Sequence, residues 1–406
     1  MQPLLFLCHR IPYPPNKGDK IRSYNILKFL CESYQVHLGA FVDDPEDFQY
    51  ESAIASMCAS HCLLPLDSRL GKLRSLSGFI KGTPLGLPYY ANKKMQNWVD
   101  ATVDQYELTG ALVFSSTMAQ YLVGDRFTHL KRYIDFIDID SDKWAQYKNQ
   151  ASLIMKLVYG YEARMLFEWE KKVTNEFDYS FFVSEKEAAL FKKLVPDNME
   201  KISYFNNGVD TGYFSCEHSF TSPYSDGGNV IVFTGAMDYW ANVDAVVWFA
   251  NEVLPTVCDR VDKTKLYIVG SKPDDKVKAL AASPHVEVTG AVDDVRPYLA
   301  HASVAVAPMR IARGVQNKVL EAMAMALPTV TTSQGYEGIN AVTSRDLIVV
   351  DEVGEWVDTL VKILKIEDDN KSMGASARNL VVGEYSWQGS LSTLKLCIEA
   401  KGDFGR

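Results

Sequence analysis

Short runs rich in β-branched and aromatic residues alternate along the chain with longer amphipathic stretches, the pattern of βα units wound around parallel sheets. In the first half, residues 4–8, 36–41, 111–114, 133–137 and 179–183 read as strands. In the second half, residues 230–233, 265–269, 286–288, 304–307, 329–332 and 347–350 do so more clearly. Two doubly wound α/β domains are therefore expected. The boundary is placed within residues 202–214, where a strand-like run enters the turn Asn206-Asn207-Gly208-Val209-Asp210. This gives a first domain over residues 1–205 and a second over residues 206–384. Ligands of such sheets bind at the carboxyl ends of the strands, so chemistry belongs in the loops that follow them.

Composition narrows the class. A chain of 406 residues exceeds what one core usually serves, and 47% hydrophobic with 23% charged residues is ordinary for a globular protein. The net charge of -9 argues against nucleic acid as a partner. One local exception is basic: Arg69, Lys72, Arg74, Lys81, Lys93 and Lys94 lie between Ser68 and Lys94 with no acid, interleaved with Leu70, Leu73, Leu76, Phe79 and Ile80. This pattern suits an anionic membrane surface, and equally a solvated helix packed on its own domain. No apolar run is long enough to span a bilayer, and the N-terminus lacks the pattern of a secretory signal, so a cytoplasmic location is expected. Seven scattered cysteines fit reduced thiols. Cys58, His61 and Cys62 are potential metal ligands, but no second cluster completes a site, and no metal is expected.

The common cofactor and nucleophile motifs are missing. No Gly-x-Gly-x-x-Gly follows the first strand, no P-loop is present, and no Gly-x-Ser-x-Gly occurs. What remains follows the strand at 304–307: Arg310, Arg313 and Lys318, three cations with no acid among them. The spacing predicts a helix opened by Gly314 and continuing through Lys318, Glu321 and Met325 until Pro328 ends it. Gly314, Lys318 and Glu321 then share one face. Free amides at the helix start favour a phosphate, and a carboxylate one to two turns on suits a ribose diol. An ordinary surface pair between Lys318 and Glu321 is the competing reading.

The second half resembles the donor domain of GT-B glycosyltransferases of glycosyltransferase family 4. The resemblance is carried by Asn207-Gly208-Val209-Asp210, Phe233-Thr234-Gly235, Ile268-Val269-Gly270, Val288-Thr289-Gly290 and Leu320-Glu321-Ala322-Met323-Ala324. More narrowly, the loop at residues 12–24, the string Asp135-Phe136-Ile137-Asp138-Ile139-Asp140-Ser141 and residues 313–325 resemble sugar transferases of bacterial exosortase/PEP-CTERM exopolysaccharide clusters. The resemblance implies two facing Rossmann-like domains with a cleft between them, and a C-terminal helix at about 385–406 packed back on the first domain. It implies transfer from a UDP- or GDP-sugar to a lipid-linked or oligosaccharide acceptor, retaining, without a metal or other cofactor. The implied donor set is Glu321, Lys318, Arg313, Arg310, Gly314, Asn317 and Gly235, with Glu321 holding the ribose as the last carboxylate of a Glu-x7-Glu motif. The first carboxylate of that motif is replaced by Arg313. Many members also carry an Arg and a Lys after the first strand of this domain, where the present chain reads Gly235-Ala236-Met237-Asp238-Tyr239-Trp240-Ala241-Asn242.

For the acceptor side, Gly18, with Lys17, Asp19, Lys20 and Arg22 around it, is expected to face the cleft; an ordinary turn glycine is the alternative. Asp138 is the candidate for orienting or deprotonating an acceptor hydroxyl, against a helix cap at Asp140 or Ser141 as the alternative. Two rival functions stand beside transfer: a sugar-nucleotide 2-epimerase of the same fold, and a catalytically silent scaffold.

Overall fold

The computed structural model describes residues 1–15, 18–150, 153–225, 227–312 and 315–399. Contacts divide the chain into two compact units. The first comprises Met1–Asn206 and the chain from Leu391 onward, which carries helix Ser392–Glu399; the second is Asn207–Ser390.

In the first unit, β1 (Gln2–Cys8), β2 (Tyr34–Val42), β3 (Ser60–Pro65), β4 (Gly110–Phe114), β5 (Lys131–Ile137), β6 (Tyr179–Phe182) and β7 (Ile202–Tyr204) form one sheet in the order β3-β2-β1-β4-β5-β6-β7. Every pairing is parallel. Helices on both faces leave the central strands no solvent side, hence the unbroken apolar run Leu4-Leu5-Phe6-Leu7-Cys8. The sequence pattern does not announce β3, whereas β7 is the strand-like run that enters the turn at Asn206. Strand β3 is a half-exposed edge, and its period-two geometry sends His61 and Cys62 to opposite faces. His61 instead meets Glu51 at 3.0 Å.

The second unit holds β8 (Asn229–Thr234), β9 (Thr264–Val269), β10 (Val286–Gly290), β11 (Val304–Ala307), β12 (Thr329–Thr331) and β13 (Ile348–Val349), again all parallel, in the order β10-β9-β8-β11-β12-β13. Its core joins Ile231, Phe233, Leu266, Ile268, Val304 and Val306 to Leu320, Met323 and Trp356. Gly208 lies so close to Trp387 that a Cβ there would stand 2.6 Å from the tryptophan backbone nitrogen, and the Val209 amide donates to the Tyr385 carbonyl at 2.7 Å. Tyr385, Ser386 and Trp387 therefore pack within the second unit. The chain rejoins the first unit only from Leu391, beyond the start at about 385 that the resemblance implies.

Strand order reverses between β1 and β4 in the first sheet and between β8 and β11 in the second. At such a point adjacent loops run to opposite faces and leave a crevice at the carboxyl ends. These two positions locate the polar groups described next.

Candidate functional site

At the reversal point of the second sheet, helix Asn317–Ala324 follows β11 and packs on β11 and β12. It buries Val319, Leu320 and Met323 completely. Three such side chains contribute about 1.5–3 kcal/mol each, which fixes the rotation of the helix about its axis. That rotation turns Lys318 and Glu321 towards the strand ends. The helix begins at Asn317, later than the sequence spacing predicts, because Gln316 is still extended (φ -89°, ψ 104°). Its end agrees with the expectation: Ala326 takes a left-handed φ of 57° ahead of Pro328.

The Lys318 ammonium donates to the Asn242 carboxamide oxygen, lies 3.7 Å from Met309 Sδ and sits 4.7 Å from the centre of the Phe233 ring. Lys318 and Glu321 keep part of their surface open yet are closely ringed by protein atoms. Burial pushes the lysine down to about 8, with Glu321 opposing the shift, and pushes the Glu321 carboxyl up to about 7, with Lys318 opposing. Asn317 Oδ1 is buried without a hydrogen-bond partner among the described residues. The backbone here is tight: a Cβ at Gly235 would stand 2.8 Å from Asn242 Nδ2, and one at Gly270 would stand 1.6 Å from the Gly235 carbonyl. Glycine at the ends of β8 and β9 is what lets the two loops touch.

Arg310 is close by but engaged. Its Nε and Nη2 donate to the Asp244 carboxylate at 3.0 and 2.5 Å, so the segment that lacks acids in sequence receives one from helix Trp240–Trp248. A cavity of ≈ 400 Å³ opens beside it, lined by Trp248, Met309, Arg310, Thr332, Gln334 and Asp351. Arg313 and Gly314, both in the expected donor set, lie outside the described residues.

At the reversal point of the first sheet, His9 and Arg10 follow β1. Arg10 Nη1 meets Asp19 at 2.5 Å and Arg10 Nε meets Asp43 at 3.0 Å; His9 Nε2 is 3.3 Å from Asp19. Bonds from His9 and Arg10 hold the Asp19 carboxyl well below its usual range despite burial. Strand β5 ends in strain: Ile137, a β-branched residue, has φ 73°, and its amide donates to Asp135 Oδ1 at 3.1 Å. This turn presents Asp138, which accepts from Lys143 at 2.6 Å; Lys143 is also 3.7 Å from Asp140. Ser141 does not cap the helix Asp140–Gln150. Its hydroxyl donates at 2.5 Å to Glu170, whose carboxyl burial raises to about 8.

The expected loop around Gly18 needs correction. Arg22 does not face an opening: its side chain is 1% exposed, and it forms a bidentate pair with Asp135, itself fully buried, at 2.7 and 3.2 Å. It also donates to the Phe205 carbonyl at 3.1 Å. Lys20 is likewise buried against Asp47 at 2.5 Å. Helical spacing from Gly18 turns both inward, which a stretch of charges in sequence cannot disclose. Gly18 opens helix Gly18–Ser33, is exposed, and has open space where a Cβ would go, so nothing local demands glycine. Lys17 lies outside the described residues. Sequence reasoning passed over His9, Asn242, Asp244 and Glu170; the first stands directly after a strand at the reversal point, where the carboxyl-end rule directs attention.

Comparison with known proteins fits this geometry. Residues 228–366 match the family model described as Glycosyl transferases group 1. The class so defined is a glycosyltransferase enzyme with the GT-B fold, an α/β architecture of two parallel-sheet units. An uncharacterized 44.6 kDa protein in the cps region of Klebsiella pneumoniae is 21% identical, over 95% of this chain and 97% of the relative. Among solved structures, Anabaena Alr3699/HepE in complex with UDP superposes with a TM-score of 0.67 at 12% identity, covering 99% of this chain and 100% of that one; the same protein is also known with UDP-glucose. WaaG, a glycosyltransferase involved in lipopolysaccharide biosynthesis, gives 0.64 at 16% identity, covering 98% and 100%.

Proposed function

We propose that the protein transfers a sugar from a UDP- or GDP-sugar to a lipid-linked or oligosaccharide acceptor during assembly of a bacterial exopolysaccharide. The observation that carries the reading is the placement of Lys318 and Glu321 on one helix at the reversal point of the second sheet, close enough to feel each other's charge. Lys318 meets the diphosphate, Glu321 accepts hydrogen bonds from the ribose hydroxyls, and the amides near Asn317 add donors for the phosphates. A departing diphosphate held by a lysine needs no divalent ion. Transfer is retaining, with departure and attack on one face of the sugar, and no protein nucleophile takes part. Asp138, with Lys143 beside it, orients the acceptor hydroxyl. The nucleotide and nucleotide-sugar complexes of HepE and the cps-region relative support this reading, and the resemblance of residues 12–24 and 135–141 narrows it to exosortase-associated clusters.

The acceptor's lipid gives the basic segment a role. Leu73 and Ile80 are 67% and 90% exposed, with Leu70, Leu76 and Phe79 also open, beside the exposed Arg69, Lys72, Arg74 and Lys81. Cationic heads around exposed apolar side chains match an anionic bilayer surface. Among the described residues no helix is long and apolar enough to cross a membrane. Charge reversal at Arg69, Lys72 and Arg74 is expected to abolish co-sedimentation with vesicles containing anionic lipid; unchanged binding overturns the membrane role.

Transfer itself is tested by nucleotide release from a panel of UDP- and GDP-sugars with isolated membrane lipid as acceptor. Turnover that needs no acceptor favours epimerisation, and no turnover with any donor favours a scaffold. UDP affinity is expected to peak between about pH 7 and pH 8, since the diphosphate needs protonated Lys318 and the ribose needs ionised Glu321. Glu321→Ala with normal UDP affinity removes the site assignment.

A further inference from the structure

Among the described residues, the groups in direct contact with the Lys318 ammonium are uncharged: the Asn242 carboxamide oxygen, the Met309 thioether and the Phe233 ring. The Asn242 amide has one usable orientation. Its Nδ2 donates to the Ala236 carbonyl at 2.9 Å, so Oδ1 must face the lysine. A flipped amide would set oxygen against a carbonyl and N–H against an ammonium. Asn242 is 5% exposed, and only the missing Cβ of Gly235 leaves room for it. Arg310, a nearby cation, is answered by the carboxylate of Asp244. One lysine is thus held by neutral groups while its neighbour is neutralised.

We infer that Asn242 is a positioning residue that fixes the Lys318 ammonium without cancelling its charge, reserving that charge for the diphosphate of the donor. This rests on the reading of Lys318 as the diphosphate contact. The neutrality of residue 242 is the essential property. A carboxylate of the same shape turns the site into a closed internal ion pair, as Asp244 does for Arg310. Glu321, on the same helix, acts on Lys318 through its charge and is present in every variant below.

The test is UDP binding by calorimetry across pH, with thermal melting, on the full chain carrying Asn242→Asp, Asn242→Ala or Lys318→Met. Asn242→Asp is expected to fold, to melt no lower than the parent, and to bind UDP roughly ten- to a hundredfold more weakly, the range of a lost charge-assisted hydrogen bond. Asn242→Ala keeps a charged lysine but loses its tether. It is expected to retain more affinity than Asn242→Asp, with the alkaline fall in affinity moved to lower pH. A merely structural asparagine predicts the reverse order, because aspartate preserves shape and alanine does not; that order overturns the inference. Lys318→Met separates the two levels. Normal UDP affinity in that variant defeats the donor-site reading itself, whereas lost affinity there with parental affinity in Asn242→Asp defeats only the role of Asn242.

Discussion

Replacing Arg22 with methionine removes a guanidinium that is 1% exposed and leaves the Asp135 carboxylate, at 0% exposure, with the Ile137 amide at 3.1 Å as its remaining donor among the described residues. Methionine fills most of the volume, so the loss is electrostatic rather than a cavity. Breaking one side of a buried pair costs about 3–5 kcal/mol, against about 0–1 kcal/mol for a surface pair. The Phe205 carbonyl loses its two guanidinium bonds of 3.1 Å as well, which sets the expectation at the upper end. Burial already raises the Asp135 carboxyl, with Arg22 opposing; without Arg22 it rises further. Protonation of that carboxyl removes the unpaired charge, so the penalty shrinks as pH falls. Urea unfolding followed by hydrogen exchange reads the two units separately, and the loss should be confined to the first unit. Arg22→Met combined with Asp135→Leu deletes both charges and is expected to recover most of the loss. A single variant within about 1 kcal/mol of the parent, or a double variant no better than the single, refutes the buried-pair assignment. Full stability with lost transfer in the double variant would restore Arg22 to the substrate site.

Glu170 supplies a second pH signature: its carboxyl is raised to about 8, so the folded chain keeps a proton that the unfolded chain releases above the ordinary glutamate range. Stability therefore falls as pH climbs to about 8, and Glu170→Gln is expected to flatten that slope in melting curves; parallel curves exclude it. Gly270→Ala places a Cβ 1.6 Å from the Gly235 carbonyl and is expected to cost about 3 kcal/mol or more and to weaken UDP binding. Gly18→Ala, whose Cβ meets nothing, should be neutral to slightly stabilising. Equal effects of the two alanines in melting experiments would contradict the close approach of the β8 and β9 loops.

Continuous apolar runs declared the central strands and the division into two α/β units, because burial on both faces of a parallel sheet leaves a local mark that needs no partner to be read. The same holds for the helix over Glu321, whose apolar spacing carries its own orientation, and for its stop ahead of Pro328. Strand β3 left no such mark, being a half-exposed edge. Charge was the less legible property. Arg22, Lys20 and Arg310 read as cations available to a phosphate, but whether a charge is free depends on what another segment brings to it. Asp135, Asp47 and Asp244 come from 113, 27 and 66 residues away. Asn242 shows the converse, a neutral side chain without a motif that tertiary packing sets against the Lys318 ammonium. The sequence by itself determined the central strands and which helix face is apolar, since both follow from local patterning. Only the tertiary structure decided which charges remain uncompensated, since compensation is set by distance in space.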